Sequence, residues 1–490
     1  MKIVFVASEG VPYSKTGGLA DVVGALPKAL ASLGYEVEVF LPRYKATRPG
    51  AVVPGAGSIT VPLSGGFKFA SIQIAGESNG VRTYLMECPE LFDRDELYME
   101  KGKDYPDNAE RFAAFSMAAL EFMKRLPAPP AVIHCHDWQS ALVPVYLRSL
   151  YEGDTFYKDT SVLFTIHNIG YQGLFPPDIM PRISINKSLF KIEGLEYYGK
   201  VNLLKGGIVF SDFVSTVSQK YAQEIQTDEF GHGLEGVLRG RADRLTGILN
   251  GVDYDDWNPA TDKLIPANYT PENMKGKEVC KKALLQKLGV QNPVTDRPVL
   301  GIVSRFVRQK GFDLIAQVAD ELMREELYIT ALGTGEPEYE ELFRSFSKKY
   351  PDKFLVRVAY DNTLAHQIEA GADMFLMPSR YEPCGLNQIY SMKYGTVPVV
   401  RATGGLDDTV QPFDGEKGTG FRFRQYSPVA LLACLQRAIA TFRDSDAWSR
   451  LQHNCMQEDF SWSQSAGKYA SLYESLYATR AERAISSVVS

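Results

Sequence analysis

Lys15-Thr16-Gly17-Gly18-Leu19-Ala20-Asp21 stands between a short β-branched run, Ile3 to Ser8, and a helix-like run, Val22 to Leu33. An amine and two glycines at the carboxyl end of a first strand suit an anion. Gly17 and Gly18 let backbone N–H groups approach it, the helix N-terminus adds partial positive charge and Lys15 adds a full one. An ordinary strand-to-helix turn has the same spacing, so the stretch alone leaves phosphate binding and simple turning both open. A second junction of this kind is Ser304-Arg305-Phe306-Val307-Arg308-Gln309-Lys310-Gly311, between the run Val299 to Val303 and the helical run Phe312 to Leu322. Arg305 and Lys310 are placed there as two fixed cations able to stabilise a departing diphosphate, or, more plainly, as solvated surface charges.

Further candidates follow other strand-like runs. Gly333-Thr334-Gly335 resembles half of a dinucleotide fingerprint, and a tight turn explains it equally. Tyr360, after the run Phe354 to Val358, is able to stack on a base or to pack. In Glu382-Pro383-Cys384-Gly385-Leu386, the carboxylate is suited to sugar hydroxyls, while backbone N–H groups after Gly385, through Leu386 and Asn387, face a phosphate; a helix-capping acid is the plainer reading. Cys384 has no base beside it in sequence, so a close-packed contact within reach of thiol reagents is expected of it. Tyr98 and Tyr105, in an aromatic and acidic loop, are of a type that stacks on sugar faces. Three Asp-x-Asp sites, at Asp93, Asp253 and Asp444, are no more than chance supplies among so many acids, and no metal is assigned.

The elements that must carry these residues are short β-branched runs alternating with helical patterns. Ile3 to Ala7, Glu36 to Leu41, Ala131 to His134, Val162 to Ile166 and Phe213 to Val217 form one series. Val299 to Val303, Leu327 to Leu332, Phe354 to Val358, Met374 to Met377 and Val397 to Val400 form another. Each series reads as βαβ units in a doubly wound parallel sheet, an α/β fold. Between them, Leu249 to Pro259 is rich in turn formers and reads as the interdomain connection. The expected boundaries are 1–247, 248–460 and 461–490, the last a helix returning to the first domain.

A chain of 490 residues, 45% hydrophobic and 23% charged, is an ordinary globular protein of about two to four domains. Its net charge of −6 argues against a nucleic-acid partner. Six scattered cysteines give neither zinc spacing nor a disulfide framework. A strand beginning at Lys2 leaves no room for a signal peptide, and no apolar run is long enough to span a membrane, so a cytoplasmic location is expected.

Seven blocks in register, Lys15 to Val23, His136-Asp137-Trp138-Gln139, Thr165-Ile166-His167-Asn168, Leu204-Lys205-Gly206-Gly207, Ile248 to Asp253, Ser304-Arg305 and Pro378 to Leu386, resemble the bacterial glycogen synthase and plant starch synthase family. The resemblance runs almost end to end. It implies the GT-B architecture, two Rossmann-like domains facing across a cleft, and transfer of glucose from ADP-glucose to an α-1,4-glucan, glycogen or a maltooligosaccharide, with retention and with no cofactor. It implies catalytic roles for His167, Glu382, Arg305, Lys310 and Asp137. Donor contacts are implied at Lys15, Gly17, Gly18, Asp21, Asn250, Gly333, Gly335, Tyr360, Cys384, Gly385, Leu386 and Asn387, and an acceptor contact at Tyr98. His167 is expected near the glucose 6-hydroxyl and Asp137 near the acceptor hydroxyl. One departure stands out: eight residues after Glu382, where the wider retaining pattern carries a second Glu, this chain has Tyr390. A transferase using UDP-glucose and a silent glucan-binding protein are the alternatives, and the resemblance assigns no oligomeric state.

Overall fold

The computed structural model describes residues 1–47, 53–63 and 66–489. The chain forms two compact units, one made of Met1–Val217, Ala222–Gly251 and Trp462–Ser490, the other of Ser218–Tyr221 and Val252–Ser461. Among the described residues, no helix is long and apolar enough to cross a membrane.

The first unit is built on a nine-stranded sheet of β1 (Lys2–Val6), β2 (Glu36–Pro42), β3 (Val53–Leu63), β4 (Gly66–Ser78), β5 (Val81–Glu87), β6 (Val132–His136), β7 (Ser161–Ile166), β8 (Phe213–Thr216) and β9 (Leu245–Gly247), in the order β9-β8-β7-β6-β1-β2-β5-β4-β3. Strands β9 through β5 run parallel, and the hairpin of β3 and β4 adds an antiparallel edge. Both faces of the parallel part are covered, and β1, β6 and β7 are buried along their whole length, the histidines of β6 and the hydroxyl residues of β7 included. On one face the helix Gly18–Ser32 sets Leu19, Val22, Val23, Leu26 and Leu30 into a core shared with Tyr469 and Tyr473 of the last helix, Trp462–Val489. On the other, Phe40 stacks on Phe115 and Phe122 of the helix Asn108–Met123.

The second unit holds a six-stranded, wholly parallel sheet of β10 (Val299–Val303), β11 (Tyr328–Gly333), β12 (Phe354–Val358), β13 (Met374–Met377), β14 (Val397–Arg401) and β15 (Phe421–Phe423), in the order β12-β11-β10-β13-β14-β15. Leu300 and Ile302 face a core with Phe312, Ile315, Leu431 and Leu435, whereas Val299 packs with Leu284, Leu285, Leu364 and Ile368. The turn-rich segment after Gly251 is firmly seated. Trp257 lies flat between His366 and Tyr390, with ring centres 3.7 and 4.1 Å away, and Asp262 accepts hydrogen bonds from His366 and from the Tyr394 hydroxyl at 2.8 and 2.6 Å.

Strand order reverses between β1 and β6 in the first sheet and between β10 and β13 in the second. Crevices for ligands in such sheets open at these switch points, beyond the carboxyl ends of the strands. The candidate residues cluster at both.

Candidate functional site

In the first unit the switch-point residues come from the ends of β1, β6 and β7. Asp137 begins the turn after β6 with φ of +54°, a left-handed conformation that a short polar side chain tolerates better than most. Its carboxylate turns toward the neighbouring strand end, accepting the backbone N–H of His167 at 2.7 Å and that of Asn168 as well. Burial pushes the Asp137 pKa up to about 7 against the pull of these two donors. The Nε2 of His167 meets the Nδ1 of His136 at 3.0 Å, and burial lowers the His167 pKa to about 3. His134 and His136 are likewise held well below the usual histidine range by burial, so the row is neutral. Behind it, His134 joins Thr165 at 2.6 Å and the Tyr473 hydroxyl at 2.8 Å, tying the row to the last helix.

The Lys15 loop differs from its expected form. Lys15 is paired with Asp21 at 2.6 Å, so two residues expected as separate donor contacts neutralise one another across the first turn of the helix. The N–H groups of Thr16 and Gly17 do not stand open to an external anion. They donate to the buried carboxylate of Glu9, which also accepts the Thr16 hydroxyl. Gly17 is extended, with φ of −158°, and an added Cβ would meet nothing within 4 Å, so packing does not require the glycine. Gly18 opens the helix itself. Tyr98 places its hydroxyl on Ser8 at 2.7 Å and toward Glu9 at 3.3 Å, at the end of β1. Tyr105 is overlain by the guanidinium groups of Arg94 and Arg111, which occupy it as a stacking face. Asn250 is buried rather than part of an open wall, and its Oδ1 has no hydrogen-bond partner among the described residues. The Leu204–Gly207 block is a packing device: Lys205 donates to the carbonyls of Ile192 and Glu196 at 2.7 and 2.6 Å, and a Cβ on Gly207 would lie 2.4 Å from Phe164.

In the second unit, Lys310 and Glu382 meet at 2.6 Å, and Ser379 donates to the same carboxylate oxygen at 3.0 Å. Arg305 lies exposed at the end of β10. The loops carrying these residues are joined through their backbones. Arg380 N–H donates to Gln309 at 2.8 Å, and Gly311, with φ of +77°, passes so close to Pro378 that a Cβ would fall 2.0 Å from its carbonyl oxygen. Gly333 and Gly335 admit the Arg305 loop: a Cβ on either would lie 1.9 Å from the Ser304 oxygen or 2.2 Å from the Phe306 oxygen. Their requirement for glycine is therefore explained by backbone packing.

After Glu382 the chain turns against the helix Gly404–Thr409. Gly405 N–H donates to the Glu382 carbonyl at 3.1 Å, and neither Gly404 nor Gly405 has room for a side chain. This docking buries Cys384, correcting its expected accessibility to thiol reagents. Gly385, with φ of +70°, turns the loop, Leu386 precedes the helix Asn387–Lys393, and the side chain of Asn387 donates to the Val303 carbonyl at 2.9 Å, which commits it to the end of β10. Tyr390, at the position of the second acid in the wider pattern, is buried on Trp257. Tyr360 is 86% exposed beyond β12, with its face open. Among the described residues no cluster of acids, histidines and cysteines could hold a metal.

Sequence reasoning assigned no role to Glu9, Gly404 or Gly405, and named His136 and Ser379 only as members of the matching blocks. Thr403-Gly404-Gly405-Leu406 repeats the Thr16-Gly17-Gly18-Leu19 pattern and was the available signal for the two glycines.

Known proteins resemble this chain over nearly its whole length. Residues 2–240 match the family model described as starch synthase catalytic domain, and residues 286–450 match that of glycosyl transferases group 1. The chain is 54% identical over 483 residues to a glycogen synthase of Koribacter versatilis (strain Ellin345), covering 98% of this chain and 99% of that protein. A glycogen synthase of Anaeromyxobacter dehalogenans (strain 2CP-C) is 46% identical, over 97% of this chain and 100% of its own length. Among solved structures, the catalytic domain of starch synthase IV from Arabidopsis thaliana bound to ADP and acarbose superposes with a TM-score of 0.89 at 34% identity, covering 97% of this chain and 99% of that one. A sucrose-phosphate synthase from Thermosynechococcus elongatus shares the fold, with a TM-score of 0.63 at 20% identity over 98% of this chain and 99% of that one.

Proposed function

This chain belongs to the glycogen synthase and starch synthase family of GT-B glycosyltransferases, and we propose that it moves glucose from ADP-glucose to the non-reducing end of an α-1,4-glucan with retention of configuration. The observation that carries the reading is the Lys310–Glu382 pair, with Arg305 on the same loop as Lys310, at the switch point of a wholly parallel sheet. A nucleoside diphosphate leaves with charge that must be stabilised as it forms, and fixed cations in a partly dry site do this without reorganising. Arg305 and Lys310 take that role. Glu382 holds the Lys310 ammonium in place and offers its remaining oxygen to sugar hydroxyls. Tyr360 lies open to stack on the base.

The neutral His167 and its backbone receive the transferred glucose, and Asp137 fixes that backbone through its two accepted N–H bonds. A double-displacement route uses two carboxylates about 5 Å apart. Tyr390 supplies no second acid beside Glu382, which favours reaction on one face of the sugar. The bond from C1 to the phosphate oxygen breaks, the bond from C1 to the acceptor oxygen forms, and the acceptor proton passes to the departing phosphate. ADP and acarbose on the starch synthase IV structure support a nucleotide and a glucan-like ligand for this chain too. Buried cysteines scattered singly along the chain suit a reducing, cytoplasmic setting.

Glucose incorporation into a glycogen primer tests the proposal, with ADP-glucose compared with UDP-glucose, chelator present and Glu382→Ala as control. Chelator-resistant transfer from ADP-glucose, abolished by the substitution, is expected. Preferential transfer from UDP-glucose, or none from either donor, overturns the donor assignment.

A further inference from the structure

Beneath the Lys15 loop lies a carboxylate that the mechanism above does not use. Glu9 follows the end of β1 and is only 4% exposed. One of its oxygens accepts the backbone N–H of Thr16; the other accepts the Thr16 hydroxyl at 2.9 Å and the Tyr98 hydroxyl at 3.3 Å, with the Gly17 N–H as a further donor. An ionised group in such a place is retained only when its lost hydration is replaced, and four donors converge to replace it. Burial nevertheless raises its pKa, with the Thr16, Tyr98 and Gly17 hydrogen bonds pulling the other way.

The consequence lies in what these donors belong to. Thr16 and Gly17 immediately follow Lys15, whose side chain remains 45% exposed, and Tyr98 arrives from a loop some eighty residues away in sequence. The same Tyr98 hydroxyl is anchored to Ser8 at 2.7 Å. On the other side, Val11 N–H donates to Ala20 at 3.1 Å, and Gly24 lies so close to Val11 that a Cβ would fall 2.1 Å from its side chain, locking the segment after Glu9 to the helix that Lys15 precedes. Glu9 is an internal anion, occupying the backbone donors that an external phosphate would otherwise use. The half-exposed Lys15 beside it, which a ligand must draw from its pair with Asp21 at 2.6 Å, is left as the loop's means of reaching one.

We propose that Glu9 is a positioning residue for the donor: its carboxylate holds Thr16, Gly17 and Tyr98 as one rigid unit, so that Lys15 meets the donor diphosphate without its loop having to be ordered at binding. This rests on the reading of the site as an ADP-glucose transferase. Freeing two backbone residues that binding must then fix weakens donor binding by up to about thirty- to a thousandfold. An interaction equal in ground and transition states is lost as KM, with kcat little changed.

The experiment compares wild type, Glu9→Ala, Lys15→Ala and the double variant, with steady-state kinetics in ADP-glucose and amide hydrogen exchange across Thr16 and Gly17. Glu9→Ala is expected to raise the ADP-glucose KM about tenfold or more and to speed exchange at those amides. In the Lys15→Ala background the same substitution should add almost nothing to KM, because its effect passes through Lys15. An unchanged KM, unchanged exchange, or a KM rise of full size without Lys15 overturns the proposal. Should Glu9→Ala not fold, Glu9→Gln, which keeps one acceptor oxygen, carries the same predictions at smaller size. Failure of the wild type to use ADP-glucose refutes the functional reading instead, and the exchange measurement still judges the clamp.

Discussion

Lys310→Ala strands the Glu382 carboxylate. The ammonium and carboxylate are 2.6 Å apart, and their side chains keep 18% and 7% of their exposure. Removing one member of a buried pair costs about 3–5 kcal/mol, because the survivor is left charged and unpaired. Here the Ser379 hydroxyl still donates to Glu382 at 3.0 Å and water reaches Lys310 in part, which lowers the expected loss to about 2–3 kcal/mol. For a domain of about 200 residues this corresponds to a fall of about 4–12 °C in the unfolding midpoint. Adding Glu382→Gln removes the stranded charge and should recover most of that fall. Turnover should not recover, since loss of a cation facing the leaving group lowers kcat by about 10²–10³ whatever happens to stability. Calorimetry of the three variants, read on the transition of the second unit, and kcat at saturating ADP-glucose measure the two effects. An unchanged midpoint in Lys310→Ala, or losses that simply add in the double variant, would refute a buried, coupled pair.

Gly335→Ala should destabilise the second unit by about 1–3 kcal/mol, because the new Cβ would stand 2.2 Å from the Phe306 carbonyl oxygen, whereas Gly17→Ala meets nothing within 4 Å and should leave the thermal midpoint unchanged. Tyr360→Ala, at an 86% exposed position, should alter stability by less than about 0.5 kcal/mol yet raise the ADP-glucose KM by about five- to a hundredfold if the ring stacks on the base, as isothermal titration with ADP would also register. The histidine row predicts acid lability. The His167 pKa is lowered from 6.5 to about 3, so the unfolded chain binds that proton first and stability is lost as pH falls below about 6.5. His167→Gln should flatten that slope by up to about 1.4 kcal/mol per pH unit in urea titrations at stepped pH. Asp137 has the opposite sign: its pKa is raised from 3.8 to about 7, so stability falls as pH rises through that window, and Asp137→Asn should remove the fall.

Much of the architecture was legible because buried parallel strands declare themselves. Covered on both faces, β1, β10 and β13 are largely apolar runs, while β6 and β7 mix β-branched residues with His134, His136, Ser161 and Thr165; each ends where the chain must turn toward a helix, so the strand ends carrying Asp137, His167 and Arg305 stood out. The antiparallel hairpin was harder to read. Ile59, Val61 and Leu63 are buried while Ser58, Thr60 and Pro62 are exposed, but glycine, proline and serine interrupt this alternation and give the stretch the composition of a loop.

The sequence by itself determined the strand-helix series, the chemical character of their junctions and, through blocks in register, the family. Only the tertiary structure decided which of those residues act together. Lys310 and Glu382 are separated by 72 residues, and no local rule pairs them; the pairing arises because β10 and β13 are neighbours at a switch point. The glycines show the same division. Spacing alone gives Gly17 and Gly335 similar meaning, yet one lies in open space and the other is pressed against the Phe306 backbone. Glu9 is an acid like many others until folding brings Thr16, Gly17 and Tyr98 to its oxygens, because the cost of burying a carboxylate, and the donors that offset it, exist only once water has been excluded around it.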